Sequence, residues 1–215
     1  ELPAGQRLTI APHYTVKYEH QGILVVNKSA GLPSQPTRSN QDNLYERLSS
    51  CWGYVGLHHR LDKEASGLVL LTTDRRCNKA IGQAFAEHKI TRKYLAVVLG
   101  EPETAGQWST PIAGKKARTH FKCISTNGET STLLLTLETG RTHQIRRHAS
   151  QAGYPLIGDR RYGGAAAMLC SRLALHAIQL QFTHPLSNTT VQCDSTIPHA
   201  LQREVSLEDS SEWLN

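Results

Sequence analysis

Residues Thr119–Glu138 read THFKCISTNGETSTLLLTLE, two runs rich in Thr, Ile and Leu broken by Asn127-Gly128. Asn and Gly both tolerate positive φ, so this dipeptide predicts a β-hairpin with strands over Thr119–Ile124 and Ser131–Glu138. Working outward, the apolar run Ile23–Val26, the GLVLLT of Gly67–Thr72 and the stretch Arg92–Leu99 each predict a strand. Leu173–Phe182 and Thr189–Cys193 predict another pair, joined across His184-Pro185. Helices are fewer. Asp42–Ser50 puts Leu44, Tyr45 and Leu48 on one face, and Gly31–Asn40 before it reads as loop. Asp74 is placed to cap a helix in which Cys77, Ala80, Ile81, Ala84 and Phe85 recur at three- and four-residue spacing. Thr142–Ala152 fits a short helix, with Thr142 as N-cap and Gly153 just past its end. The expected class is therefore α+β, one domain around a large mixed, mostly antiparallel sheet flanked by helices.

The chain has 215 residues, 39% apolar and 20% charged, which suits a single globular domain. No stretch approaches the ~18 uninterrupted apolar residues of a membrane span. Glu1–Ile10 lacks a basic start followed by an apolar core, so no secretory signal is expected. The expected boundaries are a lead-in over 1–17, the domain over 18–198 and a polar acidic tail over 199–215, with Glu204, Glu208, Asp209 and Glu212. Five scattered cysteines without a C-x-x-C pair argue against a disulfide framework and a structural zinc site, which points to a reducing, cytoplasmic setting. Twenty-four Lys and Arg oppose eighteen Asp and Glu, a formal charge of +6. Basic residues cluster at Arg75-Arg76, Lys89–Lys93, Lys115–Arg118, Arg141–Arg147 and Arg160-Arg161. Such stripes attract polyanions, RNA or DNA first, although a generic soluble surface accounts for charge equally well.

Three segments stand out chemically. His59-Arg60-Leu61-Asp62, followed by Ser66-Gly67, packs an acid, a base and a cation before a strand. A carboxylate beside arginine stays ionised, and it can act as a nucleophile or stabilise a cationic sugar carbon. On spacing alone, a surface salt bridge explains the same residues. Gly140–His148 places Arg141, Ile145 and His148 near one helical face with Arg146 turned about 100° away. It can be read as a solvated basic helix or as a source of arginines for a carboxylate and phosphates. Gly158-Asp159-Arg160-Arg161-Tyr162-Gly163-Gly164 is a basic, glycine-flanked loop able to hold phosphate through backbone amides. It matches neither a P-loop nor G-x-G-x-x-G, so no nucleotide cofactor is expected. The eleven histidines lack H-E-x-x-H spacing, which leaves no metal site, and G-x-S-x-G is absent.

Taken together these segments resemble the RluA-type pseudouridine synthases. His59-Arg60-Leu61-Asp62-Lys63-Glu64-Ala65-Ser66-Gly67 resembles the family's H-R-L-D-x-x-T-S-G. Arg92–Gly100 resembles K-x-Y-x-A-x-V-x-G. Gly140–Arg146 continues through Gly153–Asp159 to Tyr162-Gly163, and Leu175-His176-Ala177 leads to Thr183-His184-Pro185. Val25-Val26-Asn27-Lys28 with Gly31-Leu32 matches the family's first strand and loop. The blocks follow the family's order over roughly residues 18 to 198.

The resemblance implies the pseudouridine synthase fold over the catalytic domain and an isomerase acting on uridine in rRNA or tRNA. It implies Asp62 as catalytic carboxylate, Tyr94 as the tyrosine stacking on uracil and aiding proton removal, and Arg146 as partner of the aspartate. It further implies Ile145 packing beside the base and Arg60 filling the space left by the extruded nucleotide. Arg141, His59 and Arg160 complete the expected RNA-contacting set. No cofactor or metal is implied. RNA is the expected partner, without membrane or nucleotide cofactor, and the chain is expected to act as a monomer. An S4-type RNA-binding domain, found in many relatives, is not expected before Val25. Ala65 stands where the family usually has Thr, and Ser29 where it usually has Pro, so a loop hydrogen bond and a rigid turn are expected to be lost. The span from Gly100 to Thr119 is shorter than in many members. Two other readings are a catalytically silent RNA-binding protein on the same fold and a glycoside hydrolase, which needs a second carboxylate.

Overall fold

A computed structural model describes residues 10–11, 13–37 and 42–205. In chain order the elements are β1 (Ile10–Ala11), β2 (Tyr14–His20), β3 (Ile23–Lys28), α1 (Leu44–Trp52), β4 (Gly56–Leu57), β5 (Ser66–Thr72), α2 (Arg75–Ala86) and β6 (Thr91–Leu99). There follow β7 (Ala105–Trp108), β8 (Thr119–Thr126), β9 (Thr130–Leu137), α3 (Gln144–Gln151), a 3-10 turn (Gly164–Met168), β10 (Leu175–Thr183), β11 (Thr190–Asp194) and α4 (His199–Gln202). The class is α+β on a large mixed sheet, as expected, and the strand pairs of known register are antiparallel. The chain gathers into two compact units, residues 1–91 with 180–195, and residues 92–179 with 196–215. No helix among the described residues is long and apolar enough to cross a membrane.

In the first unit β3 lies between β2 and β5, with Val25 opposite Leu70 and Lys28 opposite Gly67. Every residue of β5 is buried, because strands flank it on both sides and α2 packs over the sheet. A strand covered on both faces reads as a continuous apolar run, which is why GLVLLT shows no alternation. Ile23, Val25, Leu68, Leu70, Cys77, Ile81, Leu180 and Phe182 form its core, with Ala84 and Phe85 packed against them. Ala80 of the same helix faces solvent. Asp74 caps α2 as expected, accepting from Arg76 N at 2.8 Å. Asn43 caps α1 through Glu46 N at 3.0 Å, which sets the start of that helix at Leu44. His184 ties the β10–β11 connection, accepting from Leu186 N and Ser187 N at Nδ1 and donating from Nε2 to His20 O at 3.2 Å.

Order begins before residue 18: Tyr14–His20 forms β2, bulged between Val16 and Tyr18, where a lead-in to residue 17 was expected. Its inward Tyr14 and Val16 alternate with the outward Lys17, a period-2 pattern overlooked because the run is short and polar at its ends. The remainder of the lead-in (1–9 and 12), Arg38–Asn40 of the loop, and Glu208, Asp209 and Glu212 of the acidic tail lie outside the described residues.

In the second unit β9 pairs with β6, Leu135 opposite Tyr94, and with β8, which pairs with the short β7. The Asn127-Gly128 hairpin forms as expected. Asn127 Oδ1 accepts from Thr130 N at 2.8 Å and Gly128 takes φ 89°. Leu95, Val97, Ile157, Ala166, Ala174, Leu201 and Val205 form this unit's core, so residues expected in the polar tail supply two of its members. Those apolar side chains and α4 make 199–205 part of the packed unit. The helix expected over Thr142–Ala152 is shorter, and Thr142 does not cap it. His143 precedes it at φ 54°, and the Gln144 side chain turns back to accept from Arg141 N at 3.0 Å and Thr139 Oγ1 at 2.7 Å. These bonds tie the turn before the helix, and no side chain caps its first amides. Gly153 past the helix end has φ 87°, as expected.

Candidate active site

Asp62 sits half-buried in the turn that leads into β5. Its carbonyl accepts from Ala65 N at 3.2 Å, which closes the turn without the threonine hydroxyl the family usually provides. Leu61, at its side, exchanges two hydrogen bonds with the buried Ser34: Leu61 N donates to Oγ at 3.1 Å, and Oγ donates to Leu61 O at 2.7 Å. Beneath the turn lies Lys28, 0% exposed. Its ammonium donates to Ala65 O at 2.7 Å, Leu32 O at 2.8 Å, Ser29 O at 2.9 Å and Lys63 O at 3.4 Å. One cation thus ties the 29–32 loop to the 63–65 turn, reinforced by Gly31 N donating to Lys63 O at 2.7 Å. A buried ammonium is tolerated only when its protons are matched by acceptors, as here. Ser29 N donates to His13 O at 2.9 Å, a bond proline could not make, so the loop keeps an anchor despite the substitution.

Lys28, which stands in the Val25–Lys28 motif without an expected role, shapes the site by holding the turn that bears Asp62. Lys28→Met is expected to lower stability by about 2 kcal/mol, because the gain from not burying a charge offsets only part of the loss of donors to several carbonyls. Urea unfolding checks the stability. Tritium release from C5-labelled RNA is expected to show kcat falling more than KM rises, because the turn bearing Asp62 loosens.

His59 faces its own scaffold. Leu70 N donates to its Nε2 at 2.8 Å, and its ring lies 4.9 Å from that of Phe85. Accepting at Nε2 requires the proton on Nδ1, a neutral imidazole fastening the motif to β5. Where an RNA contact was expected, the ring is engaged in holding the loop. Arg60 is exposed.

The other expected residues lie in the second unit. Tyr94 is 5% exposed on β6, and Ile145 is buried on α3. Arg146, next on α3, is also buried, and it forms a bidentate pair with Asp159, Nε to Oδ2 and Nη2 to Oδ1, both at 2.8 Å. Asp159 Oδ1 further accepts from Arg161 N at 2.9 Å and Tyr162 N at 3.1 Å. Burial pushes the Asp159 carboxyl up, but the Arg146 guanidinium and the two amides outweigh it and hold it below the usual aspartate range. The loop expected to cradle a phosphate therefore spends those amides on its own carboxylate. Gly163 N also bonds Asp159 O at 2.8 Å.

The Arg146 guanidinium carbon lies 5.2 Å from the Tyr162 ring centroid, and the Tyr162 hydroxyl is 2.9 Å from His143 Nδ1. These groups fix the arginine in one orientation. Asp159 stands in the quoted sequence, but its role depends on a fold that returns the loop to α3. Arg141 is exposed, with Nε donating to Lys116 O at 3.0 Å, and Arg160 is exposed on the Asp159 loop. Buried Gln144 and His148 brace the helix base. Thr119 Oγ1 is bonded to both, and burial pushes the His148 imidazole down. Among the described residues no three His, Cys, Asp or Glu side chains gather into a metal-holding group.

Residues 22–151, more than half of the chain, match the family model described as RNA pseudouridylate synthase. Ribosomal large subunit pseudouridine synthase D of Zymomonas mobilis is 36% identical, the match covering 87% of this chain and 70% of that protein. The Yersinia pestis protein of the same name is 32% identical, over 85% of this chain and 67% of its own length. Among solved structures, human RNA Pseudouridylate Synthase Domain Containing 4 superimposes with a TM-score of 0.71 at 21% identity, covering 87% of this chain and 92% of that one, which shows a shared fold. The chain belongs to the RNA pseudouridylate synthase family. It is an RNA pseudouridine synthase, an isomerase.

Proposed function

We propose that this chain isomerises specific uridines of large-subunit ribosomal RNA, with Asp62 as the catalytic carboxylate. The observation that carries the reading is the Asp62 turn itself: a carboxylate held half-buried by buried Lys28 and Ser34, in the motif that matches the family. Two of the relatives take their names from the large ribosomal subunit, which favours rRNA over tRNA. Breaking the N1–C1′ bond leaves positive character on the sugar, which a carboxylate stabilises or traps. The uracil then turns and C5 joins C1′, the C5 proton being lost while N1, freed from the sugar, takes one up. The uridine must leave its stack to be reached. Tyr94 offers the flipped base a flat face and a hydroxyl, Ile145 an apolar edge and Arg146 a fixed cation. Arg60 replaces the extruded nucleotide. Exposed Arg141 and Arg160 meet phosphates. The residues alone, without metal or cofactor, supply this chemistry. The chain works as a monomer in the cytoplasm.

The test uses unmodified large-subunit rRNA, transcribed in vitro with tritium at uracil C5. The protein is expected to release tritium at a few sites, and mapping in cells lacking it identifies them. No release from rRNA alongside release from tRNA transfers the substrate to tRNA. Arg141→Glu is expected to weaken RNA binding and to lower the slope of log K against log salt by about one or more, measured by a salt titration of affinity.

A further inference from the structure

The loop bearing Asp159 carries an exposed apolar tip that the isomerisation does not use. The loop closes on itself. Gly158 N donates to Ala166 O at 2.9 Å, and a Cβ on Gly158, whose φ is 71°, would stand 1.9 Å from Arg172 O. Asp159 pins its first turn through the Arg161 and Tyr162 amides, and Ala166, 0% exposed, is fixed in the second unit's core. Immediately past that anchor Met168 is 89% exposed and Leu169 is 50% exposed, with Leu169 N held by Ala166 O at 3.2 Å. The tip is held on its C-terminal side as well, where Ala174 N donates to Ile157 O at 3.0 Å. Two adjacent large apolar groups held in water on a braced loop mark a contact surface.

On the same loop Arg160 and Arg161 are exposed, the Arg161 guanidinium carbon lying 5.4 Å from the Tyr162 ring centroid. Cations on the same loop as an apolar tip match a partner that offers phosphates and flat apolar faces together, which is a nucleic acid with an unstacked base. A uridine drawn out of its stack leaves such a face on its neighbour. We propose that Met168 and Leu169 form an apolar wedge that covers an unstacked base of the RNA substrate, with Arg160 and Arg161 seated on the flanking phosphates. This rests on the reading of the chain as an enzyme acting on ribosomal RNA.

The experiment compares the wild type with M168S/L169S, M168L and R160Q/R161Q, on in-vitro transcribed large-subunit rRNA. Affinity is titrated over a salt series, and isomerisation is followed by tritium release. The serine pair is expected to bind roughly tenfold more weakly, with an unchanged salt slope because no charge is removed. M168L is expected to bind as the wild type. R160Q/R161Q is expected to lower the slope by about one per arginine. Unchanged affinity and turnover in the serine pair overturn the wedge and give the tip to a protein partner, and a loss in M168L as large as that in the serine pair overturns it too. A wild type that binds this RNA but isomerises no uridine overturns the enzymatic reading alone, and the affinity of the serine pair still decides the wedge. A wild type that does not bind overturns both.

Discussion

Asp62→Asn is expected to leave a folded protein that releases tritium from C5-labelled RNA at least about a thousandfold more slowly than the wild type. Asparagine has nearly the same shape, and the turn is closed through backbone atoms: Asp62 O to Ala65 N, and Lys28 to the Leu32 and Ala65 carbonyls. The substitution therefore removes the anionic charge while the scaffold around it stays. A neutral amide can neither trap an oxocarbenium carbon nor stabilise its charge, so the loss falls on kcat while RNA affinity changes little. Asp62→Asn that turns over near the wild-type rate would end Asp62's claim to the chemistry. Urea unfolding run alongside shows that the fold is intact.

Asp159→Ala carries the second large effect, a loss of about 3–5 kcal/mol of stability, the range for stripping one partner from a buried ion pair. Arg146 is 5% exposed and Asp159 1% exposed, so the guanidinium loses a bidentate acceptor where little water can replace it. The amides of Arg161 and Tyr162 lose an acceptor at the same time. Asp159→Asn keeps the shape and part of the hydrogen bonding but not the charge, and it is expected to lose less.

The pH dependence follows from the direction of the shift. The Asp159 carboxyl sits lower in the folded chain than in the unfolded one, where it titrates near 3.9, so the unfolded chain binds the proton more readily. Stability from the pair is complete above that ordinary value and drains away as pH falls through the folded one. Urea unfolding between neutral pH and about pH 3 is expected to show an acid limb in the wild type that is shallower in Asp159→Asn. Equal limbs would show that the pair does not govern acid stability. Activity at neutral pH gives a separate readout, because a loosened Arg146 lowers kcat even where the variant remains folded.

Chain-local patterns carried much of the fold. Apolar runs gave β3, β5 and β6, Asn127-Gly128 gave the hairpin, and Asp74 gave the start of α2, because each depends on neighbours within a few residues. Short polar strands escaped. β2 and the four-residue β7 have weak apolar patterns of their own and owe their order to pairing with β3 and β8. Thr142 had the composition of a cap, but the helix starts one residue later, after His143 at φ 54°, with no side-chain cap.

Motif and spacing alone locate the residues that carry the proposed chemistry, an aspartate after arginine before a strand, a tyrosine on β6 and an arginine on α3. What holds them comes from the fold. Lys28 and the carbonyl of Ala65 are 37 residues apart, and Arg146 and Asp159 are 13 apart. Charges are buried only where distant segments bring matching partners, and spacing along the chain does not encode that meeting.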